Sequence, residues 1–384
     1  MSMSLKGRSE HMICFPRHII SRPWLSSKGV PGEKGEGGTE MDRELKIGII
    51  GCGEIAVSHA HSIADARNAR IVMTMDVKGE VAKDLADRYG AAYTTDLDEM
   101  LSNSDVDAVY IATPHYLHAP ISVKAADAGK HVMVEKPIAV NLQQAQDMIE
   151  TAKRNGVLLS VCFVMRYRPD VRKAKELIER GAIGDVIALK MSAMVDKPAS
   201  YWHGGYSGRV KTDWRTKKDQ SGGGILIMNA VHNIDVMRFI TGLEAIRVYA
   251  EYDTFVTPVE VEDWINVIIR YDNGAIGSID ASSCARGKGD FGDRIFGEEG
   301  QIVLGTPLRI YTTLPVEGLE PGKWNEVQLP RIGNPRTLYI EEFAESVFSG
   351  ADKPPVTGED GLKALQIITA AYESGEKHQP VTFK

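Results

Sequence analysis

Gly51-Cys-Gly53-Glu54-Ile55-Ala56 is a G-x-G-x-x-A pattern, and Asp76 lies about twenty residues beyond it. The pattern follows an apolar run, Leu45-Lys-Ile-Gly-Ile-Ile-Gly51, and opens a stretch of helical spacing that lasts to about Asp65. In that setting Gly51 permits a tight turn, and Gly53 lets the backbone come close to a pyrophosphate at a helix N-terminus. Glu54 and Ile55 fall in the first turn, and Ala56 is small enough for helix and strand to pack closely. Asp76 ends a second strand-like run, 71–76, where a carboxylate can accept hydrogen bonds from an adenosine ribose and repels a 2′-phosphate. The expected cofactor is NAD, with NADP left open by Lys78 two residues on. Two further groups, Thr113-Pro114 with His118 and Glu135-Lys136-Pro137, follow later strands, at the edge where open α/β sheets bind ligands. An ammonium there, on Lys136, can hydrogen-bond a substrate hydroxyl and stabilise alkoxide character as hydride leaves carbon. Glu135 is expected to orient the loop or the cofactor.

These residues need a frame that alternates strands and helices. Strand-like runs at 45–51, 71–76, 108–112 and 131–134 are separated by helical spacing to about 65, at 80–89 and at 120–128. Such alternation means βαβ units and a parallel sheet covered on both faces. After 158–163 the texture changes. Runs at 187–194, 246–252, 264–271 and 275–283 read as strands, with Asp272-Asn273-Gly274 as a hairpin turn, and helices fall near 170–180 and 225–241. This predicts an α+β second domain with an open-faced, mostly antiparallel sheet. The expected division is an extension at 1–43, a dinucleotide-binding domain at 44–163 and a substrate and oligomerisation domain at 164–384. Its last helices, near 339–348 and 358–373, return to the first domain.

Composition removes other classes. The 384 residues carry 45 Lys+Arg against 52 Asp+Glu, a formal charge of −7. A mildly acidic chain has no general attraction for nucleic acid or anionic lipid. No apolar run approaches the ~20 residues of a membrane-spanning helix. Cys14, Cys52, Cys162 and Cys284 are scattered, without a disulfide framework, which suits a reducing, cytoplasmic setting. His115, His118, His203 and His232 lack metal-ligand spacing, so no metal is expected. Residues 1–40 lack periodicity and end in a Gly/Lys/Glu-rich stretch, read as a flexible extension with Met41 as a candidate start.

Taken with Gly222-Gly-Gly224, His232-Asn-Ile-Asp235, Phe296-Gly-Glu-Glu-Gly300 and the 356–360 segment, these motifs resemble the glucose–fructose oxidoreductase / inositol dehydrogenase (Gfo/Idh/MocA) family from about residue 44 onward. The resemblance implies a Rossmann domain, an NAD(P)-dependent oxidoreductase acting on a sugar, sugar derivative or cyclitol, and a homodimer or homotetramer built through the open sheet face. It also implies a proton-carrying role for His232, whose imidazole can take the proton of a secondary alcohol; the bland reading is a core-helix histidine. Many relatives carry Asp four residues earlier, where this chain has Met228 followed by Asn229, so Asn229 is a candidate for part of the positioning role. Asp235 either orients His232 or serves structure. By position, Arg166 and Tyr167 are candidates for sugar hydroxyls. Trp214 and Arg215 either contact substrate or anchor their loop. The competing functions are an NAD-binding regulator without turnover and a redox-type NAD-dependent glycosidase.

Asp76→Ala is expected to lower the NAD over NADP ratio of kcat/KM. An unchanged ratio would take Asp76 off the ribose.

Overall fold

The structure is a computed structural model that describes residues 43–287 and 292–383. The extension expected at 1–43 lies, up to residue 42, outside the described residues.

Six parallel strands form the first sheet: β1 (Leu45–Ile50), β2 (Ala69–Met75), β3 (Ala92–Thr94), β4 (Ala108–Ile111), β5 (His131–Val134) and β6 (Leu159–Val161). Their order is β3-β2-β1-β4-β5-β6. β1 and β4 are central and buried on both faces, which is why they read as unbroken apolar runs and not as alternations. Local signals fix several helix starts. Asn141 accepts from the Gln144 amide at 2.9 Å to begin Leu142–Arg154, and Thr357 with Asp360 forms a capping box ahead of Gly358–Lys377. Gly51 has φ +87, and a Cβ there would sit 2.9 Å from the Ala112 carbonyl, so the β1 turn requires glycine.

The second sheet has nine strands: β7 (Val186–Met194), β8 (Ala245–Asp253), β9 (Trp264–Tyr271), β10 (Ile276–Ser282), β11 (Arg294–Gly297), β12 (Gly300–Val303), β13 (Leu308–Thr312), β14 (Lys323–Val327) and β15 (Val381–Thr382). The order is β14-β13-β12-β11-β7-β10-β9-β8-β15, antiparallel except for the β7–β10 pair. Helices Val231–Thr241 and Gly358–Lys377 pack on one face. Ile187, Ile268 and Ile276 are exposed. The helix Pro335–Phe348 reaches the first sheet's layer, where Glu341 takes two bonds from the Arg67 guanidinium and the Tyr339 hydroxyl donates to Ser160 Oγ at 2.9 Å.

The Gly222–Gly224 turn is shaped by what presses on it. Gly223 has φ +144, and a Cβ there would lie 2.2 Å from the Tyr372 hydroxyl oxygen. Tyr372 in turn donates to Glu262 at 2.9 Å, while the Glu262 carboxylate accepts the Gly224 and Leu226 amides at 2.6 and 2.9 Å. Burial pushes Glu262 up to about 7 against those two amides. Gly223→Ala is expected to destabilise the protein by at least about 2 kcal/mol, from backbone strain plus overpacking, read as a lower midpoint in urea.

Candidate active site

The carboxyl ends of β1, β2 and β4 open onto a cleft that is closed on its outer side by the loop residues Gly204, Val210, Thr212, Trp214 and Arg215. The glycine turn forms its floor. Cys52 N donates to Asp76 Oδ2 at 2.8 Å and Lys78 N donates to Asp76 Oδ1 at 2.9 Å, so the acid fixes the turn while lining the cleft. Helix Glu54–Ala64 starts at Gly53 with no side-chain cap, leaving its first amides for a ligand, and the space where a Gly53 Cβ would stand is open. Gly51, Gly53, Glu54, Ile55, Asp76, Lys78, Thr113, Pro114, Trp214 and Arg215 all line this cleft, and Ala56 is buried beneath it. These residues fit a dinucleotide: an uncapped helix start, a glycine cradle and an acid at the second strand's end. Thr113 Oγ1 is buried without a partner.

His118 is fully buried, with ring nitrogens 2.8 Å from the Pro137 carbonyl and 2.9 Å from that of Thr113. It ties the two ligand-edge loops together from behind and does not face the cleft. The Lys136–Pro137 peptide is cis. Lys136 Nζ donates to the Met228 carbonyl at 2.8 Å, at a π-helical turn over Leu226–Ala230. Burial lowers the Lys136 ammonium's proton affinity, opposed by Glu135. Glu135 sits below, bound to His59; burial pushes it up, but His59 and then Lys136 hold it well below the usual carboxylate range. Tyr110 donates to Cys162 Sγ at 2.6 Å in the same pocket. His59, Glu135 and Cys162 have the separations of a metal trio, but their atoms are engaged with one another and with Tyr110.

His232 is half-buried, edge-on to Phe163, and its Nδ1 has no partner; Asn229 Oδ1 is likewise buried and unpartnered. Burial, then Lys136, pull His232 down to about 3, so its imidazole is neutral at neutral pH. Trp214 packs 4.5 Å from the His115 ring, and the Arg215 guanidinium lies over both Trp214 and Tyr201. Trp202 is buried and anchors the loop.

Three expectations need correction. His118, expected at the cofactor edge, is buried behind it with both ring nitrogens tied to loop carbonyls. Arg166 is not free for sugar hydroxyls: it is buried, forms a fork to Asp235 with bonds of 2.9 and 2.5 Å, and reaches Asp360 at 3.0 Å. Tyr167 is also buried, and its hydroxyl donates to Glu342 at 2.8 Å. The same fork takes Asp235 away from His232 and gives it a structural role. Sequence reading missed Lys197, Arg209 and Arg336. Lys197 had a signal: Lys197-Pro198 follows β7 as Lys136-Pro137 follows β5.

The loop crosses the cleft as a strap. Arg209 donates to the Cys52 carbonyl at 2.9 Å and the Val81 carbonyl at 3.2 Å and pairs with Asp84 at 2.7 Å. Glu54 accepts the Tyr206 and Ser207 amides at 2.8 and 2.9 Å.

Residues 45–163 match the oxidoreductase family, NAD-binding Rossmann fold, and residues 171–303 match the GFO/IDH/MocA C-terminal domain. The chain belongs to this family of NAD-binding oxidoreductases. It is 29% identical to myo-inositol 2-dehydrogenase of Thermotoga maritima, covering 88% of this chain and 98% of that one. It is 28% identical to levoglucosan dehydrogenase of Pseudarthrobacter phenanthrenivorans, covering 87% and 97%. A solved levoglucosan dehydrogenase in complex with NADH and levoglucosan superposes with a TM-score of 0.78 at 28% identity, over 88% of this chain and 99% of that one.

Arg166→Met strands the Asp235 carboxylate and is expected to cost about 3–5 kcal/mol in chemical denaturation. Activity in the folded protein should stay within about threefold; a selective rise in KM for sugar would return Arg166 to the substrate.

Proposed function

We propose that this protein oxidises a secondary hydroxyl of a sugar, sugar derivative or cyclitol, using NAD. The observation that carries the reading is the uncapped glycine cradle with Asp76, together with Lys136, which donates to the Met228 carbonyl on the π-helical turn leading into His232, a neutral imidazole with a free ring nitrogen. NAD, when bound, supplies the hydride acceptor. Gly51, Gly53, Glu54, Ile55, Ala56, Asp76, Thr113 and Pro114 form its cradle, with Glu135 and His118 fixing the loops behind it.

The division of labour follows from the groups themselves. Lys136 donates a hydrogen bond to the reacting oxygen and stabilises negative charge there. Its hydrogen-bond partner is the Met228 carbonyl, while Glu135 nearby favours the ammonium without a direct ion pair. His232 takes the hydroxyl proton. Asn229 Oδ1 accepts from a neighbouring hydroxyl, and Trp214 with Arg215 covers the pocket's outer side. The protein works as a homodimer or homotetramer through the open face of the second sheet, where Ile187, Ile268 and Ile276 stand exposed. A cytoplasmic setting suits its free Cys52, Cys162 and Cys284.

Lys136→Ala and His232→Ala are each expected to lower kcat at least about a hundredfold while NAD affinity stays within about tenfold. The measurement is NADH absorbance over a sugar and cyclitol panel, with NAD binding followed by calorimetry. An unchanged kcat in folded His232→Ala would remove His232 from the mechanism. Tight NAD binding with no turnover on any substrate would favour a regulatory role.

A further inference from the structure

Four cations gather around the pocket described above: Lys136, Lys197, Arg215 and Arg336. The Lys197 ammonium lies 4.2 Å from the centre of the Tyr201 ring, and the Arg215 guanidinium lies 4.9 Å from the same ring. Arg215 also lines the cleft at the Thr113–Pro114 edge. Lys136 and Arg336 both act on His232.

The acids nearby have other hydrogen-bond partners, although Glu135 still acts on Lys136 and His232, and Glu54 on Lys197. Glu135 is bound to His59, and Glu54 receives the Tyr206 and Ser207 amides. Among the described residues, none of the four cations forms an ion pair with a carboxylate. Lys136 has the neutral Met228 carbonyl, Lys197 the Tyr206 hydroxyl at 2.7 Å, and Arg336 Nε is buried with no partner. Positive charge taken from water without a counter-charge is costly, and these groups would bind an anion strongly in return.

We propose that the pocket is built for a sugar carrying an anionic group, a carboxylate or a phosphate, beside the hydroxyl that reacts. This inference rests on the dehydrogenase reading for the position of the substrate. It also resolves a difficulty in that reading. Burial, then Lys136, against the opposing charge of Glu135, leave His232 near 3, a weak base for an alcohol proton. An anion seated beside Lys136 and Lys197 opposes the cationic charge and brings the imidazole back toward the range of an effective base. The substrate thus adds negative charge on the open side of the pocket to what Glu135 supplies from behind. Burial, Lys136 and Arg215, in that order, pull Lys197 down to about 8, so it is still mostly protonated at neutral pH and able to pair.

The test is calorimetric binding to the NAD-saturated protein of D-glucose against D-glucuronate and D-glucose 6-phosphate, and of D-galactose against D-galacturonate, with NADH formation followed in parallel. At least one anionic sugar is expected to bind about tenfold or more tightly than its neutral parent, and added salt should erode the advantage. Lys197→Met, on a half-buried loop side chain, should remove most of the preference. The tighter anion tells carboxylate from phosphate. Equal binding of neutral and anionic sugars overturns the proposal. So does a Lys197→Met protein whose NAD affinity falls as far as its anion affinity, because the cations would then serve the cofactor's pyrophosphate. Tight anion binding without NADH from any sugar keeps the anion pocket and overturns the dehydrogenase reading. NADH formed from neutral sugars alone does the reverse.

Discussion

An ammonium half-withdrawn from water at the meeting of two sheets is the constraint around which this site is arranged. Lys136 leaves the end of β5, crosses the cleft and donates to the Met228 carbonyl. A lysine there must recover part of its lost hydration, and the choice of acceptor decides its chemistry. A carboxylate would bind it more strongly and quench it. A main-chain carbonyl fixes its position and leaves the charge available. That carbonyl is presented by a π-helical turn, and the turn is anchored at its start by Glu262, which takes the Gly224 and Leu226 amides, and by Tyr372 against Gly223. The geometry at Lys136 is therefore set partly by residues on the chain's final helix.

The same logic explains how acids are distributed. Three buried carboxylates lie close to the cleft, and each is turned inward. Glu135 is bound to His59, Asp235 is paired with Arg166, and Glu262 is satisfied by backbone amides and a phenol. Each arrangement makes structure from a charge that would otherwise face Lys136 and His232. Burial raises Asp235 even against Arg166, which is the expected sign for a carboxylate so far from water.

What could be read from the sequence was local. The glycine turn, Asp76, the strand ends before Thr113 and Glu135, and most of the parallel sheet announce themselves through short-range pattern and turn chemistry. β3 and the strands β11–β14 did not, being short and broken by Gly297, Gly300 and Gly305. Arg166 and Tyr167 were misread for a different reason. Their partners Asp360 and Glu342 lie far along the chain, and no periodicity indicates that a surface-like Arg-Tyr pair will be buried beneath a returning helix. Gly222–Gly224 was legible as a turn, but its need for glycine comes from Tyr372 and Glu262, again distant in sequence. Pattern located the site and left its electrostatic balance hidden.

The strap couples the loop to the cofactor end of the cleft. Glu54 stands in the first turn of the helix whose N-terminus faces the dinucleotide cleft, and a carboxylate there suits the helix dipole but competes with a phosphate for the same field. The amides of Tyr206 and Ser207 draw that carboxylate sideways, while Arg209 binds the Cys52 carbonyl of the glycine turn itself. Docking of the strap thus clears the helix N-terminus for pyrophosphate and steadies the turn that cradles it. By linkage, whatever dinucleotide binding gains from the docked strap, strap docking gains from the bound dinucleotide. The loop carrying Lys197, Trp214 and Arg215 is continuous with that strap, so the outer wall of the cleft is held by the same contacts that order the glycine turn.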